Sequence, residues 1–94
     1  MDFLVYMEVT ARIESGNELL AKEAERARQL AKAGVLRRLW RVPGRRANWG
    51  IWVASSIDEL HEALASLPLF PYLTITVHPL ASHPNDPHQI TRQV

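Results

Sequence analysis

One acidic residue, Glu23, lies where the sequence would otherwise place only apolar side chains. Residues 18–33 contain no proline or glycine and are rich in Ala, Leu, Glu, Lys and Arg, which predicts a helix. At 100° per residue, Glu23 falls between Leu20, Ala27 and Leu30, inside the apolar stripe. A carboxylate turned toward the interior loses hydration, which raises its pKa and enables it to move a proton near neutral pH. The alternative is a structural ion pair with an arginine of a neighbouring strand.

A run of arginines is the second feature that could carry chemistry. The segment Arg37-Arg38-Leu39-Trp40-Arg41 reads as a strand. Strict alternation predicts that Arg37 and Arg41 share one face and that Arg38 lies on the other with Trp40. A planar guanidinium suits a substrate carboxylate, so we expect at least one of these arginines to bind an anion. The alternatives are an ion pair with Glu8 or Glu23, or exposure at the end of a hairpin.

Asn48 and the histidines are weaker candidates for a functional site. Asn48 faces the side of its strand opposite Trp49, where its amide needs a partner, either a substrate carbonyl or a backbone group. His78, His83 and His88 are spaced by five residues, which matches no single helix or strand face, so no metal site is predicted. The sequence has no cysteine and no phosphate-binding loop, and we predict no cofactor.

The elements that must position these residues alternate regularly along 94 residues. A strand is predicted over 3–10, the helix over 18–33 with Ser15 or Asn17 as its cap, and a hairpin over 35–42 and 47–53 around Pro43-Gly44. A Ser-x-x-Glu capping box at Ser56 opens a second helix, and a last strand covers 70–80.

This order predicts an α+β fold of the ferredoxin-like βαββαβ type, an antiparallel sheet with two helices on one face. We expect one domain over residues 1–80 and a polar tail over 81–94 that packs on a neighbouring subunit. Leu4, Tyr6 and one tryptophan-bearing face of the hairpin leave the other face of the sheet apolar, which predicts self-association through that face.

The charge balance of the sequence restricts the kinds of molecule that the chain is expected to bind. Eleven Lys and Arg balance ten Asp and Glu, so we expect no nucleic acid or membrane partner. The N-terminus lacks the pattern of a signal peptide and no apolar run approaches the length of a membrane span, which favours a cytoplasmic location.

Several stretches together resemble the muconolactone Δ-isomerase family over about residues 19–84. They are Glu23-Ala24-Glu25-Arg26-Ala27, Leu39-Trp40-Arg41-Val42-Pro43-Gly44-Arg45 with Ala47-Asn48-Trp49, Glu59-Leu60-His61, Leu67-Pro68-Leu69-Phe70-Pro71-Tyr72 and His83-Pro84. The resemblance implies a ferredoxin-like fold, a ring-shaped homodecamer and a cofactor-free enzyme of the β-ketoadipate route of aromatic catabolism. Such an enzyme shifts the double bond of muconolactone, a small anionic lactone, to give the 3-oxoadipate enol-lactone. The chain departs from the family pattern at 10–17 and 85–87.

For this chemistry we assign hypothetical roles from position. Glu23 is the acid–base residue, Arg41 binds the substrate carboxylate, and Asn48 or Tyr72 donates to the lactone carbonyl. His83 is the competing proton carrier. Arg38 and Trp40 are further candidates for binding the substrate.

Two other functions remain open on sequence grounds. The same small fold serves several chemistries, so a cofactor-free oxygenase or cyclase acting on aromatic polyketides is one alternative. A non-catalytic binding module is the other.

Overall fold

The computed structural model describes residues 1–13 and 18–88. Its elements are β1 (Asp2–Val9), α1 (Glu18–Lys32), β2 (Leu36–Arg41), β3 (Ala47–Val53), α2 (Ile57–Ala65), a 3₁₀ turn (Phe70–Tyr72) and β4 (Leu73–Leu80). Ser15 and Asn17, the two predicted caps of α1, lie outside the described residues. No helix in the described part of the chain is both long and apolar enough to cross a membrane.

The four strands form one antiparallel sheet in the order β2-β3-β1-β4. Phe3, Val5 and Met7 of β1 are buried on one face, where they pack with Leu30 of α1 and with residues of α2. We call this the helix face. The α+β architecture predicted from the sequence is confirmed, with both helices contributing to one core.

The opposite face of the sheet carries the side chains that alternate with the buried ones along each strand. Leu4 lies beside Ile51, and Tyr6 beside Trp49. Trp40 of β2 pairs with Trp49, so the apolar side chains expected on this face do share it. We call it the open face, because the core formed by the two helices lies on the other side of the sheet.

The N-cap half of the predicted capping box is confirmed at Ser56, while the Glu59 carboxylate accepts a hydrogen bond from Ser55 Oγ. The Glu59 amide donates to Ser56 Oγ at 3.1 Å, and the Ser56 backbone is extended, as an N-cap residue requires. Leu60, Leu64 and Leu67 are buried beneath this helix and the turn after it. The local sequence therefore fixes where α2 begins and which of its faces meets the sheet.

Two predicted strand features are wrong. Phe70–Tyr72 forms a 3₁₀ turn instead of the start of β4, because Pro71 has no amide hydrogen to donate to a strand ladder. In β2 the pairing slips between Leu36 and Arg38, which is a β-bulge. The bulge breaks the strict alternation that placed Arg37 on the face of Arg41, and Arg37 instead lines a groove together with Arg38.

Candidate functional site

Glu23 lies half-buried on the inner side of α1, and its carboxylate is held in place by one backbone group. Its Oε1 accepts a hydrogen bond from the Leu69 amide at 2.9 Å. Burial raises the pKa of Glu23 above its ordinary value of 4.5, and the Leu69 hydrogen bond opposes that rise without cancelling it. Such a carboxylate is a stronger base than an exposed glutamate.

The predicted alternative, an ion pair between Glu23 and a strand arginine, is not seen among the described residues. The ion pairs there join Arg28 to Glu25 and Arg45 to Glu8. Glu23 therefore keeps its second carboxylate oxygen without a guanidinium partner in the described part of the chain.

The chain that follows α2, whose Leu69 amide bonds to Glu23, is also bonded to α1 at a second point. One helical turn beyond Glu23, Arg26 Nε donates to Ser66 Oγ at 2.9 Å. Residues three apart lie on neighbouring parts of a helix surface, so both bonds join the same side of α1 to the chain that follows α2. This double attachment fixes α1 against the chain that follows α2.

Asn48 and Arg41 are neighbours on the helix face. Asn48 of β3 pairs with Met7 of β1, which is buried under the helices, and with Arg41 of β2 across the hairpin. Asn48 Oδ1 is buried and has no hydrogen-bond partner among the described residues. Since the two amide positions exchange when the side-chain amide rotates, this place can present either an acceptor or an N–H donor.

Tyr72 belongs to the same end of the molecule as Glu23. It follows Leu69 by three residues, and its amide donates to the Leu69 carbonyl at 2.8 Å. The Tyr72 carbonyl accepts from the Thr10 amide at 3.0 Å, which ties the turn to the end of β1. Its side chain remains partly exposed.

Apolar side chains flank this polar group without being covered. Leu39 is directed to the helix face, because it pairs with Gly50, yet it is 50% exposed. Leu20, one turn before Glu23 on α1, is 41% exposed. The edge strand β2 is thus incompletely covered by α1, and the uncovered strip adjoins Arg41 and Asn48.

The remaining predicted site residues lie on the other side of the sheet. Arg38 stacks its guanidinium 4.6 Å from the centre of the Trp40 ring, on the open face. With His83 they line a groove of about 1060 Å³ between the sheet and the exposed segment after β4. Within one chain the sheet separates these three residues from Glu23, Asn48 and Arg41.

A polar link that the sequence did not reveal joins β1 to the hairpin turn. Arg45 Nη2 donates to both carboxylate oxygens of Glu8 at 3.0 Å, and Tyr6 Oη donates to Glu8 Oε1 at 2.8 Å. The Tyr6 hydrogen bond, followed by that of Arg45, lowers the pKa of Glu8. The sequence suggested Glu8 as a partner for the arginines of β2, whereas the arginine of the turn takes that place.

The described residues contain no group of three or more His, Cys, Asp or Glu side chains that could hold a metal ion. The helix side of the sheet carries a half-buried carboxylate on α1 and, on the hairpin, a guanidinium and an amide beside an apolar strip. Such a set can bind a small anion and move a proton to or from a carbon next to it.

Comparison with known proteins identifies relatives along nearly the whole chain. Residues 1–86 match the family described as Muconolactone delta-isomerase. The chain is 42% identical over 89 residues to the muconolactone Δ-isomerase of Cupriavidus pinatubonensis, covering 90% of this chain and 97% of that protein. It is 39% identical over 75 residues to the enzyme of that name from Pseudomonas aeruginosa, covering 80% and 78% respectively.

A solved structure agrees with these sequence matches. The fold superposes on a crystal structure of muconolactone isomerase with a TM-score of 0.83, at 38% sequence identity, covering 94% of this chain and 96% of the other. The similarity therefore extends to the arrangement of the elements as well as to the sequence.

Proposed function

The chain belongs to the muconolactone Δ-isomerase family, and we propose that it converts muconolactone to the 3-oxoadipate enol-lactone with Glu23 as the proton carrier. It is an isomerase, and this reaction is a step in the β-ketoadipate route of aromatic catabolism. The half-buried Glu23 carboxylate, with its raised pKa and no guanidinium partner among the described residues, is the observation that carries the assignment of the base.

The reaction needs one base, used twice. Glu23 takes the proton from the ring carbon that bears the carboxymethyl arm, and the electron pair of that C–H bond forms a new ring double bond. The original double bond moves toward the carbonyl carbon, whose oxygen becomes an oxyanion. Glu23 then returns the proton to the carbon beside the carbonyl, and the carbonyl re-forms. No atom is gained or lost, so a single carboxylate is sufficient.

Residues of the hairpin and of the turn before β4 supply the groups that bind the carboxylate and the carbonyl of the substrate. Arg41 binds the carboxylate of the substrate arm, because a planar guanidinium forms paired bonds with it. Asn48 or Tyr72 donates to the carbonyl oxygen as its negative charge develops. The uncovered apolar strip at Leu20 and Leu39 accepts the ring.

We propose a ferredoxin-like fold that self-associates through the open face and assembles into a decamer. The strand order β2-β3-β1-β4 supports this fold. The open face carries Trp49, whose ring lies 4.8 Å from that of Tyr6, and Trp40, which is 43% exposed. An apolar sheet face of this kind is typical of an interface.

The segment after β4 fits the same proposal. Residues 81–88 are all exposed, and the rest of the predicted tail, 89–94, lies outside the described residues. If this segment packs on a neighbouring subunit, His83 lies at the site of that subunit and not at the site of its own chain. His83 thus remains the competing proton carrier, and Arg38 and Trp40 remain candidates for a shared site. The predicted cytoplasmic location and the absence of a cofactor stay predictions.

The test is a comparison of the wild type with Glu23→Gln. Muconolactone is mixed with each protein and the change in lactone absorbance is followed. We expect the wild type to isomerise it and Glu23→Gln to lose about 10²–10⁴-fold in kcat, since the amide cannot take the proton. Gln still offers an oxygen to the Leu69 amide, so the fold should be preserved.

Glu25→Gln is the matched control, because Glu25 lies two residues away on the exposed side of α1. It should keep wild-type activity. Full activity of Glu23→Gln would mean that another group carries the proton, and His83→Gln would be the next variant to test. A folded wild type that leaves muconolactone unchanged would contradict the substrate assignment itself.

A further inference from the structure

A second buried polar atom on the helix face has no role in the mechanism described above. The Trp52 side chain is only 1% exposed, and its indole Nε1 has no hydrogen-bond partner among the described residues. Buried indole N–H groups normally find an acceptor. Asn48, on the same strand and the same face, has the only other buried side-chain atom in the described chain that lacks a partner.

The absence of a side chain at Gly50 leaves space for the Trp52 indole, which extends along the strand toward Asn48. A Cβ atom placed on Gly50 would lie 3.0 Å from Trp52 Nε1 and 3.1 Å from Leu39 Cδ1. The indole therefore extends along β3 from position 52 until its N–H edge lies over position 50, in space that any side chain there would occupy. A strand rises about 3.3 Å per residue, so Asn48 lies only about 7 Å further along.

The place where the N–H ends adjoins the strip that α1 leaves uncovered. Leu39 contacts the same point above Gly50 and is half-exposed. Beyond it lie Asn48 and Arg41, paired across the hairpin. The indole N–H is itself buried next to Leu39, so a lactone carbonyl in the region that we assign to the substrate reaches it when the half-exposed Leu39 side chain moves aside.

We propose that Trp52 is a catalytic residue, whose indole N–H and the amide of Asn48 together donate to the lactone carbonyl oxygen. Gly50 is the residue that allows this arrangement. The proposal rests on the proposed function and deepens it, because it names the group that receives the oxyanion. A neutral donor suits that oxygen, while Arg41 binds the fixed charge of the carboxylate arm. Two donors at one carbonyl also favour a lactone over a substrate that lacks a carbonyl at this position.

The first experiment is Trp52→Phe in the full-length protein, which removes the N–H and keeps an aromatic ring. Loss of one oxyanion donor should lower kcat about 10- to 100-fold and change KM little, because the bond strengthens as the negative charge develops. Gly50→Ala should lower kcat in the same direction, since the added methyl group displaces the indole edge.

Phe3→Leu is the control for lost packing. Phe3 is fully buried and pairs directly with Trp52 across the sheet, so its truncation weakens the same core without touching an N–H group. It should lower stability and leave kcat near the wild-type value. Equal kcat values for Trp52→Phe and the wild type, or equal losses in Trp52→Phe and Phe3→Leu, would overturn the proposal.

A second measurement does not depend on turnover or on the folding of a variant. The Trp52 indole N–H resonance of the ¹⁵N-labelled wild type is followed by TROSY while 5-oxotetrahydrofuran-2-ylacetic acid is added. This compound is the saturated lactone acid and has no double bond to move. A downfield shift of the Trp52 proton, and its slower exchange with solvent, is the expected result, and an unchanged resonance at saturation would overturn the proposal.

The proposed function and the role of Trp52 can fail independently of each other. If the wild type does not isomerise muconolactone, the proposed function fails, whereas the indole resonance still decides whether a lactone carbonyl binds Trp52. If the wild type is active and the indole resonance and the kcat of Trp52→Phe are unchanged, the proposed function stands and the role of Trp52 is wrong.

Discussion

The protonation of Glu23 decides the pH range in which a proton can be moved. Its pKa is raised above 4.5 chiefly by burial, with the Leu69 amide opposing the rise. A base must be ionised to accept a proton, so kcat/KM should increase with pH and level off above that raised pKa. We expect the acidic limb of the pH profile to lie above 4.5 and to disappear in Glu23→Gln, whose residual rate should be flat there. An acidic limb at or below 4.5 in the wild type would contradict the assignment.

The same shift has a consequence for stability, with a defined sign. A carboxyl group whose pKa is higher in the folded protein binds protons more tightly when folded, so its ionisation destabilises the fold as pH rises from 4.5 through the raised value. Glu23→Gln should therefore be at least as stable as the wild type at neutral pH, and the difference should vanish in acid. A functional carboxylate held at a cost to stability is what a catalytic role predicts.

Arg41 provides a further prediction at the level of single residues. It is exposed beside Asn48, and it should bind the carboxylate of the substrate arm. Arg41→Gln should raise KM about tenfold or more, in keeping with the ~1.5–3 kcal/mol of a charged hydrogen bond, and change kcat less. Steady-state kinetics with muconolactone measure both values. Arg28→Gln, on the exposed side of α1, should change neither, and an unaltered KM in Arg41→Gln would remove Arg41 from the site.

At the level of the elements, the start of α2 depends on one side chain. Ser56→Ala removes the Oγ that accepts from the Glu59 amide, which should lower the free energy of unfolding by about 1 kcal/mol. Urea denaturation at a fixed protein concentration measures the loss. Ser56→Asp should restore most of it, because a carboxylate also caps a helix. If Ser56→Ala is as stable as the wild type, the cap contributes nothing to the stability of the protein.

The elements themselves were largely predictable from the sequence, because apolar residues alternate with a period of two in the strands and follow a helical stripe in α1. This alternation correctly separated Phe3, Val5 and Met7 from Leu4 and Tyr6. The β-bulge at Arg37 was not predictable, since an inserted residue leaves no local signal in an arginine-rich strand. Its effect is to direct two consecutive arginines toward one groove.

The candidate site was predictable only in part. The position of Glu23 within an apolar stripe correctly predicted a half-buried carboxylate with a raised pKa. Its actual partner is the backbone of Leu69, 46 residues away, and no side-chain pattern encodes a backbone donor. The sequence assigned Trp52 no role, because a buried tryptophan looks like ordinary core until the position of its N–H over Gly50 is known.

At the level of the whole molecule, the open face should hold copies of the chain together. Leu4 is half-buried on this face, between Ile51 and His78, and an apolar interface would enclose it fully. Leu4→Lys would place an ammonium group between Ile51 and His78 in that interface, which opposes association while leaving the single chain able to fold. The wild type should scatter light as a multiple of 10.7 kDa at micromolar concentration, and Leu4→Lys should shift that mass toward a single chain.

Ala21→Lys adds the same charge to the exposed surface of α1 and should keep the mass of the wild type, so the comparison isolates the position of the charge from the charge itself. Activity measured on the same samples then tests whether neighbouring chains complete each other's sites. If Glu23, Asn48 and Arg41 of one chain suffice, dissociated Leu4→Lys retains turnover. If His83, Arg38 or Trp40 of a neighbour is required, activity is lost along with the assembly and returns at protein concentrations high enough to restore it. A wild type that remains a single chain at micromolar concentration would contradict association through the open face.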